Sequence, residues 1–270
     1  MNAPQKPEQF ALSPTHVVVD RIVRCLDVAP LHEVINHPKV RPHVGGSHLD
    51  PLDLTGFIQN SANIALRFEG FLALFHERMP GGFETHTQAL PESRGPVVAA
   101  AAAAMAHWMF TRTNAIELLT RIPDDNDSAR DLAMANGFEF EFRHPSGWAT
   151  PKGLQPVDWF RLDVRTWMAR AEGLIERGQW FHAELDDACV RAGVEYKAHD
   201  DDETHNRYVG AAAEMILNGQ IVKGIHFFNR YAAIVGNPQI AVLGQNPLVL
   251  HIGDLAISLA GGQIEVVKSQ

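Results

Sequence analysis

Residues 91–138, PESRGPVVAAAAAAMAHWMFTRTNAIELLTRIPDDNDSARDLAMANGF, hold the pattern that decides the fold. Pro91 and Pro96 bracket Ser93, Arg94 and Gly95, and an alanine-rich run follows at once. Proline suits the first turn of a helix, where its missing N–H has no intrahelical partner to lose. Val97 to Phe110 predicts that helix: most residues are strong helix formers, Met105, Trp108 and Met109 supply bulk, and the alanines permit close approach to a sheet. Ala115 to Ile122 (AIELLTRI) predicts a strand, stopped by Pro123 and the acidic turn Asp124-Asp125-Asn126. Asp127 or Ser128 is placed to cap a second helix, and Asn136-Gly137 to end it. A glycine-containing turn that opens onto a helix N-terminus is a candidate anion cradle, because free N–H groups and the helix dipole converge there.

Outward from this stretch, the upstream chain reads as strand-rich. His16 to Asp27 predicts a first strand and Ala29 to Asn36 a short helix ended by His37-Pro38. Arg41 to His48 reads as a polar, flexible loop, with Asp53 placed to cap a helix over Leu54–Gln59. Asn63–Glu69, Gly70–Arg78 and Phe83–Gln88 predict three short strands, with Glu69-Gly70 and Pro80-Gly81-Gly82 as turns. Downstream, Glu139–His144 predicts a strand, HPSGWATPKGLQP a loop, and Val157–Trp167 the last strand of the core.

Strand, Arg-Gly turn, long helix, strand, then a helix with Asn126, Ala129, Leu132, Gly137 and Phe138 resembles the acetyl-CoA-binding core of the GNAT N-acyltransferase superfamily. With PESRG and HWMF the arrangement is most similar to GNAT-like proteins carried by bacteriophages. The resemblance spans residues 15–168. It implies an α/β fold with a mixed central sheet and flanking helices. It also implies acetyl-CoA as co-substrate, an amine acceptor, and cofactor contacts from Arg94, Gly95, Val97, Val98, Asn126 and Ala129. Glu92 and Val97 stand where the family turn carries a neutral or basic residue and a small one, and Pro96 removes one N–H. The family's common acid, a tyrosine early in the second helix, has no counterpart, since Tyr196, Tyr208 and Tyr231 all lie in the tail.

An amine attacking a thioester needs a base. The resemblance places it on Phe83–Gln88, where Glu84 and His86 share one face, two residues apart. Either of them is the expected catalytic base. No nucleophile elbow, P-loop or dinucleotide fingerprint is present. His199-Asp200-Asp201-Asp202-Glu203-Thr204-His205 matches no zinc or calcium-loop spacing and reads as a solvated acidic link, so no metal is expected. Cys25 and Cys189 read as packed, reduced thiols of a cytoplasmic-type compartment.

The formal charge of −9 argues against a nucleic-acid partner. No apolar run reaches the ~18 residues of a membrane span. Residues 1–14 lack the apolar stretch of a signal peptide and read as a flexible arm.

From Met168 the texture changes. Met168–Ala192 predicts an amphipathic helix weakened by Gly173 and Gly178, Arg207–Leu217 another helix, Ile221–Ala233 strand or helix, and Ala241–Val267 β structure. Residues 169–270 are therefore expected to form a smaller α+β domain for interaction or oligomerisation. Two functions fit: an acyl-CoA-dependent N-acyltransferase, or a bacteriophage virion or head-assembly protein built on the same fold without catalysis. In the second, the tail contacts virion proteins.

Overall fold

The computed structural model describes residues 21–46, 48–193, 195–197, 202–237, 239–245, 248–252, 255–260 and 263–267. The chain divides into two compact units. One takes the described residues to Met109 together with Ala115–Trp167; the other takes Phe110–Asn114 and the residues from Met168.

The first unit is built on a seven-stranded sheet: β1 (Val23–Arg24), β2 (Ile64–Phe68), β3 (Phe71–Met79), β4 (Gly82–Ala89), β5 (Glu117–Pro123), β6 (Glu139–Thr150) and β7 (Gly153–Asp163). Their order is β1-β2-β3-β4-β5-β7-β6. Strands β1 to β4 are antiparallel neighbours, β4 and β5 run parallel, and β7 inserts antiparallel between β5 and β6. This is the mixed sheet with flanking helices that the resemblance implies. The helices are α1 (Ala29–Ile35), α2 (Thr55–Gln59), α3 (Pro96–Arg112) and α4 (Asp127–Ala135).

Helix α3 buries Ala101, Ala104, Met105 and Met109 completely, so the alanine run sets how closely it lies on its neighbours. Two expectations shift. The strand expected at 16–27 is seen only as Val23–Arg24, with residues 16–20 outside the described residues. The segment expected as a loop, 144–156, is instead the far half of a long hairpin, and the last strand ends at Asp163, where α5 (Val164–Arg170) begins. Pro145 and Gly147 are accommodated because β6 is an edge strand and its ladder breaks between His144 and Trp148.

The second unit holds α6 (Leu174–Ala192), α7 (Glu203–Leu217), α8 (Ile221–Val235) and a four-stranded antiparallel sheet. Its strands are β8 (Ile240–Gln245), β9 (Leu248–Ile252), β10 (Leu255–Ala260) and β11 (Gln263–Val267), ordered β11-β10-β9-β8. Its core contains Phe181, Leu185, Cys189, Val209, Ile216 and Phe228. Gly173, at a φ of 77°, starts α6 instead of weakening its interior. A Cβ on Gly178 would sit 2.0 Å from the Asn206 carbonyl oxygen, and one on Gly210 2.0 Å from that of Leu174, so α6 and α7 meet backbone to backbone. The acidic link is shorter than expected. Residues 199–201 lie outside the described residues, but Asp202 caps α7 by accepting from the His205 N–H at 3.1 Å, and His205 is buried. Ile221–Val235 is a helix, the second of the two readings left open for it.

Candidate functional site

Strands β4 and β5 pair over only four residues each, Gly82–Thr85 against Glu117–Thr120. Beyond that the Thr120 hydroxyl donates to the Thr85 carbonyl at 3.0 Å, and no further β4–β5 rung follows. Parallel strands that stop pairing part-way leave a fork with unpaired backbone groups, a natural mouth for a ligand. A cleft with room for about 110 Å³, partly open to solvent, lies at this fork. Its walls include Thr85 and His86 of β4, Thr120 and Arg121 of β5, Met105 and Ala106 of α3, and Asn126 and Ala129 at the start of α4. His43 and Trp148 also line it. Thr85 is 5% exposed and its hydroxyl oxygen has no hydrogen-bond partner among the described residues.

Three constructions hold these walls. Arg41, 7% exposed, donates to the carbonyls of Asp50, Gly45 and His48 at 2.8, 3.0 and 2.7 Å, so the loop expected to be flexible is tied from within. Gly46 N–H adds a bond to the Ala149 carbonyl (2.9 Å). A side chain at Gly45, where φ is 80°, would strike the Trp148 ring at 2.9 Å. Behind the β5–α4 turn, Asp158 accepts from Arg143 at 2.7 Å and pairs with Arg130 at 3.4 Å, while Arg143 also reaches Asp124 at 2.5 Å. The hydrogen bond from Arg143 holds the Asp158 carboxyl below its ordinary value. Asn126, rather than Asp127 or Ser128, caps α4, its side-chain oxygen accepting from Ala129 N–H at 3.1 Å.

Glu84 and His86 do share a face, and they touch: His86 Nε2 lies 3.0 Å from Glu84 Oε1. The same oxygen accepts from Arg121 Nε at 2.5 Å, and Arg78 Nε stands 3.5 Å from Oε2. Glu84 is 1% exposed. Burial acts to raise its pKa, but the hydrogen bond and charge of His86 and then the Arg121 guanidinium outweigh that and pull it down to about 2. An ionised carboxylate only accepts, so His86 Nε2 carries the hydrogen of this contact, and Nδ1 is the ring nitrogen left outside it. Sequence reasoning missed Arg121 and Arg78. The signal was an arginine within an otherwise apolar strand (LLTRI), but only the β4–β5 register reveals its partner.

Arg94, Gly95, Val97 and Val98 lie together at the start of α3 and do not line the cleft. Gly95 sits at a φ of 104°, which strains any other residue, and open space lies where a Cβ would be. Val98 N–H bonds the Gly95 carbonyl at 3.0 Å and Pro96 has no N–H, so fewer donors are free than an unbroken cradle offers. Val97 is exposed and Val98 buried. Asn126 and Ala129 do line the cleft, although they are occupied with each other in the cap.

A pH dependence follows from Glu84. Its folded pKa is depressed below the ordinary 4.5, so its stabilising contribution is complete above that value and is lost as pH falls from there through about 2. Acid titration of folding by circular dichroism is expected to show this slope, and Glu84→Gln to flatten it while lowering stability at neutral pH. An unchanged slope in the variant would show that the ion pairs contribute nothing.

No family model matches the chain, and no curated protein matches it in sequence. Solved structures are similar in fold. Spermidine N-acetyltransferase from Vibrio cholerae in complex with CoA and spermine is 14% identical, over 55% of this chain and 99% of that one, with a TM-score of 0.46. A mutant of that Vibrio cholerae enzyme is 16% identical over 44% and 76%, at 0.40. A Salmonella typhimurium protein solved with its cofactor acetyl-CoA is 12% identical over 53% and 94%, at 0.43. Among the described residues no helix is long and apolar enough to cross a membrane, and no group of side chains is arranged to hold a metal ion.

Proposed function

We propose that this chain transfers an acyl group from acyl-CoA to an amine at the β4–β5 fork. The observation that carries the reading is the Glu84–His86 pair at the mouth of a cleft formed where two parallel strands part. His86 Nδ1 takes the proton of the acceptor ammonium, and Glu84 holds the ring and stabilises the imidazolium that forms. The amine nitrogen then bonds the thioester carbonyl carbon as the C–S bond breaks, and the departing CoA sulfur takes the bond's electron pair and the proton that the acylated nitrogen gives up. Thr85, with its unpartnered hydroxyl, suits a polar group of the donor within the fork. Arg94 and Gly95 serve the donor's phosphates at the start of α3, and Asn126 and Ala129 contact it beside α4. The C-terminal unit serves as an interaction module.

Acetyl-CoA at millimolar concentration is expected to raise the melting temperature, since a ligand bound only by the folded state stabilises it. Arg94→Glu is expected to remove most of that shift. A parent protein that shows no shift sinks the reading. A second reading, a virion or head-assembly protein that keeps the fold as a building block, is favoured by the turn at Glu92–Val97, with its proline and its spent Val98 N–H. It is supported by the absence of that shift combined with recovery of the chain from purified particles.

A further inference from the structure

We infer that Arg121 anchors the acceptor, and that the acceptor is an amine bearing a carboxylate a few bonds from its nitrogen. This rests on the N-acyltransferase reading and names its substrate class.

Arg121 is held as a rigid receptor would be. Its Nε is fixed to Glu84 Oε1 at 2.5 Å, and its guanidinium carbon lies 5.4 Å from the ring centre of Trp159 and 5.9 Å from that of Trp148. Among the described residues Glu84 is its ion-pair partner and engages Nε alone. The terminal N–H groups remain as a planar fork on a residue that lines the cleft. Such a fork matches a carboxylate in geometry and charge, and little conformational freedom is left to lose on binding.

The rest of the lining points the same way. Among the described residues that line the cleft there is no aspartate or glutamate. The nearby carboxylate, Glu84, is buried: His86 and Arg121 share its Oε1, and its Oε2, shut off from solvent, stands 3.5 Å from Arg78 Nε. A polyamine would bring a second ammonium into a cleft with a guanidinium and no free carboxylate to meet it, at a desolvation cost. The spacing selects further. His86 Nε2 and Arg121 Nε both bond one oxygen, so they can be no farther apart than two hydrogen bonds laid end to end. The groups left for a substrate, His86 Nδ1 and the Arg121 terminal nitrogens, lie beyond these two atoms on residues that line the same cleft, so one small amino acid that spans them presents its amine to His86 and its carboxylate to Arg121.

The test uses the full chain and measures binding by saturation-transfer NMR and calorimetry. Probes are glycine, β-alanine and L-phenylalanine, the carboxamide of each, and spermidine. At least one acid is expected to bind about tenfold or more tighter than its carboxamide and than spermidine. Arg121→Gln, checked for folding by its melting curve, is expected to erase that preference. Acids and carboxamides binding alike on the parent chain, or spermidine binding best, overturns the inference without any variant. Arg121→Gln weakening acetyl-CoA instead of the acids overturns it too, since the guanidinium then serves the donor. The underlying reading fails separately, through absence of the acetyl-CoA shift, so an acid preference without donor binding leaves an amino-acid site and removes the transferase.

Discussion

Replacing His86 with alanine is expected to lower acetyl-transfer turnover by about 10²- to 10⁴-fold while acetyl-CoA binding is retained. His86 lines the cleft at the fork, and Nδ1 is the imidazole nitrogen that the Glu84 contact leaves for a substrate proton. Glu84, held at about 2, is too weak a base at neutral pH to compete for that proton. The variant is expected to fold, because Glu84 keeps Arg121 at 2.5 Å and is not left as a lone buried charge. Glu84→Gln separates the two roles: it is expected to lower turnover less and to displace the acid limb of the pH–rate profile, as loss of a positioning carboxylate does. Steady-state release of CoA thiol from pH 5 to 9 checks both. Full turnover in His86→Ala removes His86 from the chemistry, and an unmoved profile in Glu84→Gln removes the coupling.

Gly178→Ala and Gly210→Ala are each expected to destabilise the second unit by on the order of 3 kcal/mol. Helix propensity pushes the other way, since alanine within a helix is favoured over glycine by about 1 kcal/mol. Packing wins because the added Cβ would lie 2.0 Å from a backbone oxygen of the facing helix, and no rotamer change relieves a clash with backbone. Gly56→Ala is the matched control: it sits in α2 with nothing within 4 Å of the new atom, and is expected to be neutral or mildly stabilising. Urea unfolding midpoints decide between them. Alanine variants at 178 and 210 as stable as the parent would mean that α6 and α7 separate cheaply.

The order of elements was legible from residues 91–138, because proline, alanine run, apolar strand and Asn-Gly are local signals that act on neighbouring residues. What stayed hidden was set by partners far along the chain. Pro145, Gly147, Gly153 and Pro156 argue for a loop on local grounds. They form a hairpin because β6 is an edge strand, where a missing N–H costs no ladder bond, and because β5 pairs with β7 no further than Pro123–Val157. The Glu84–His86 face followed from strand alternation. Arg121 did not, being 37 positions from Glu84 and brought to it only by the parallel register. The α4 cap fell one residue early, on Asn126, since Asn, Asp and Ser are interchangeable as caps and the sequence offers all three in succession.

Helix α3 ends in residues that belong to the second unit, and this bears on how the chain is made. Phe110, fully buried, and the carbonyls of Phe110 and Thr113 receive the Lys223 ammonium at 2.7 and 3.2 Å, across separations of 113 and 110 positions. On the ribosome these residues emerge long before their partners exist. A nascent chain that has reached Trp167 has every strand of the first sheet, yet the carbonyls at the end of α3 wait for Lys223 until α8 follows. A premature stop after 167 leaves those carbonyls without Lys223 for good. A fragment ending at Trp167 is therefore expected to lose the contacts that Phe110–Asn114 make in the second unit, and a recombination at that boundary to lose them as well unless Phe110–Asn114 changed with it.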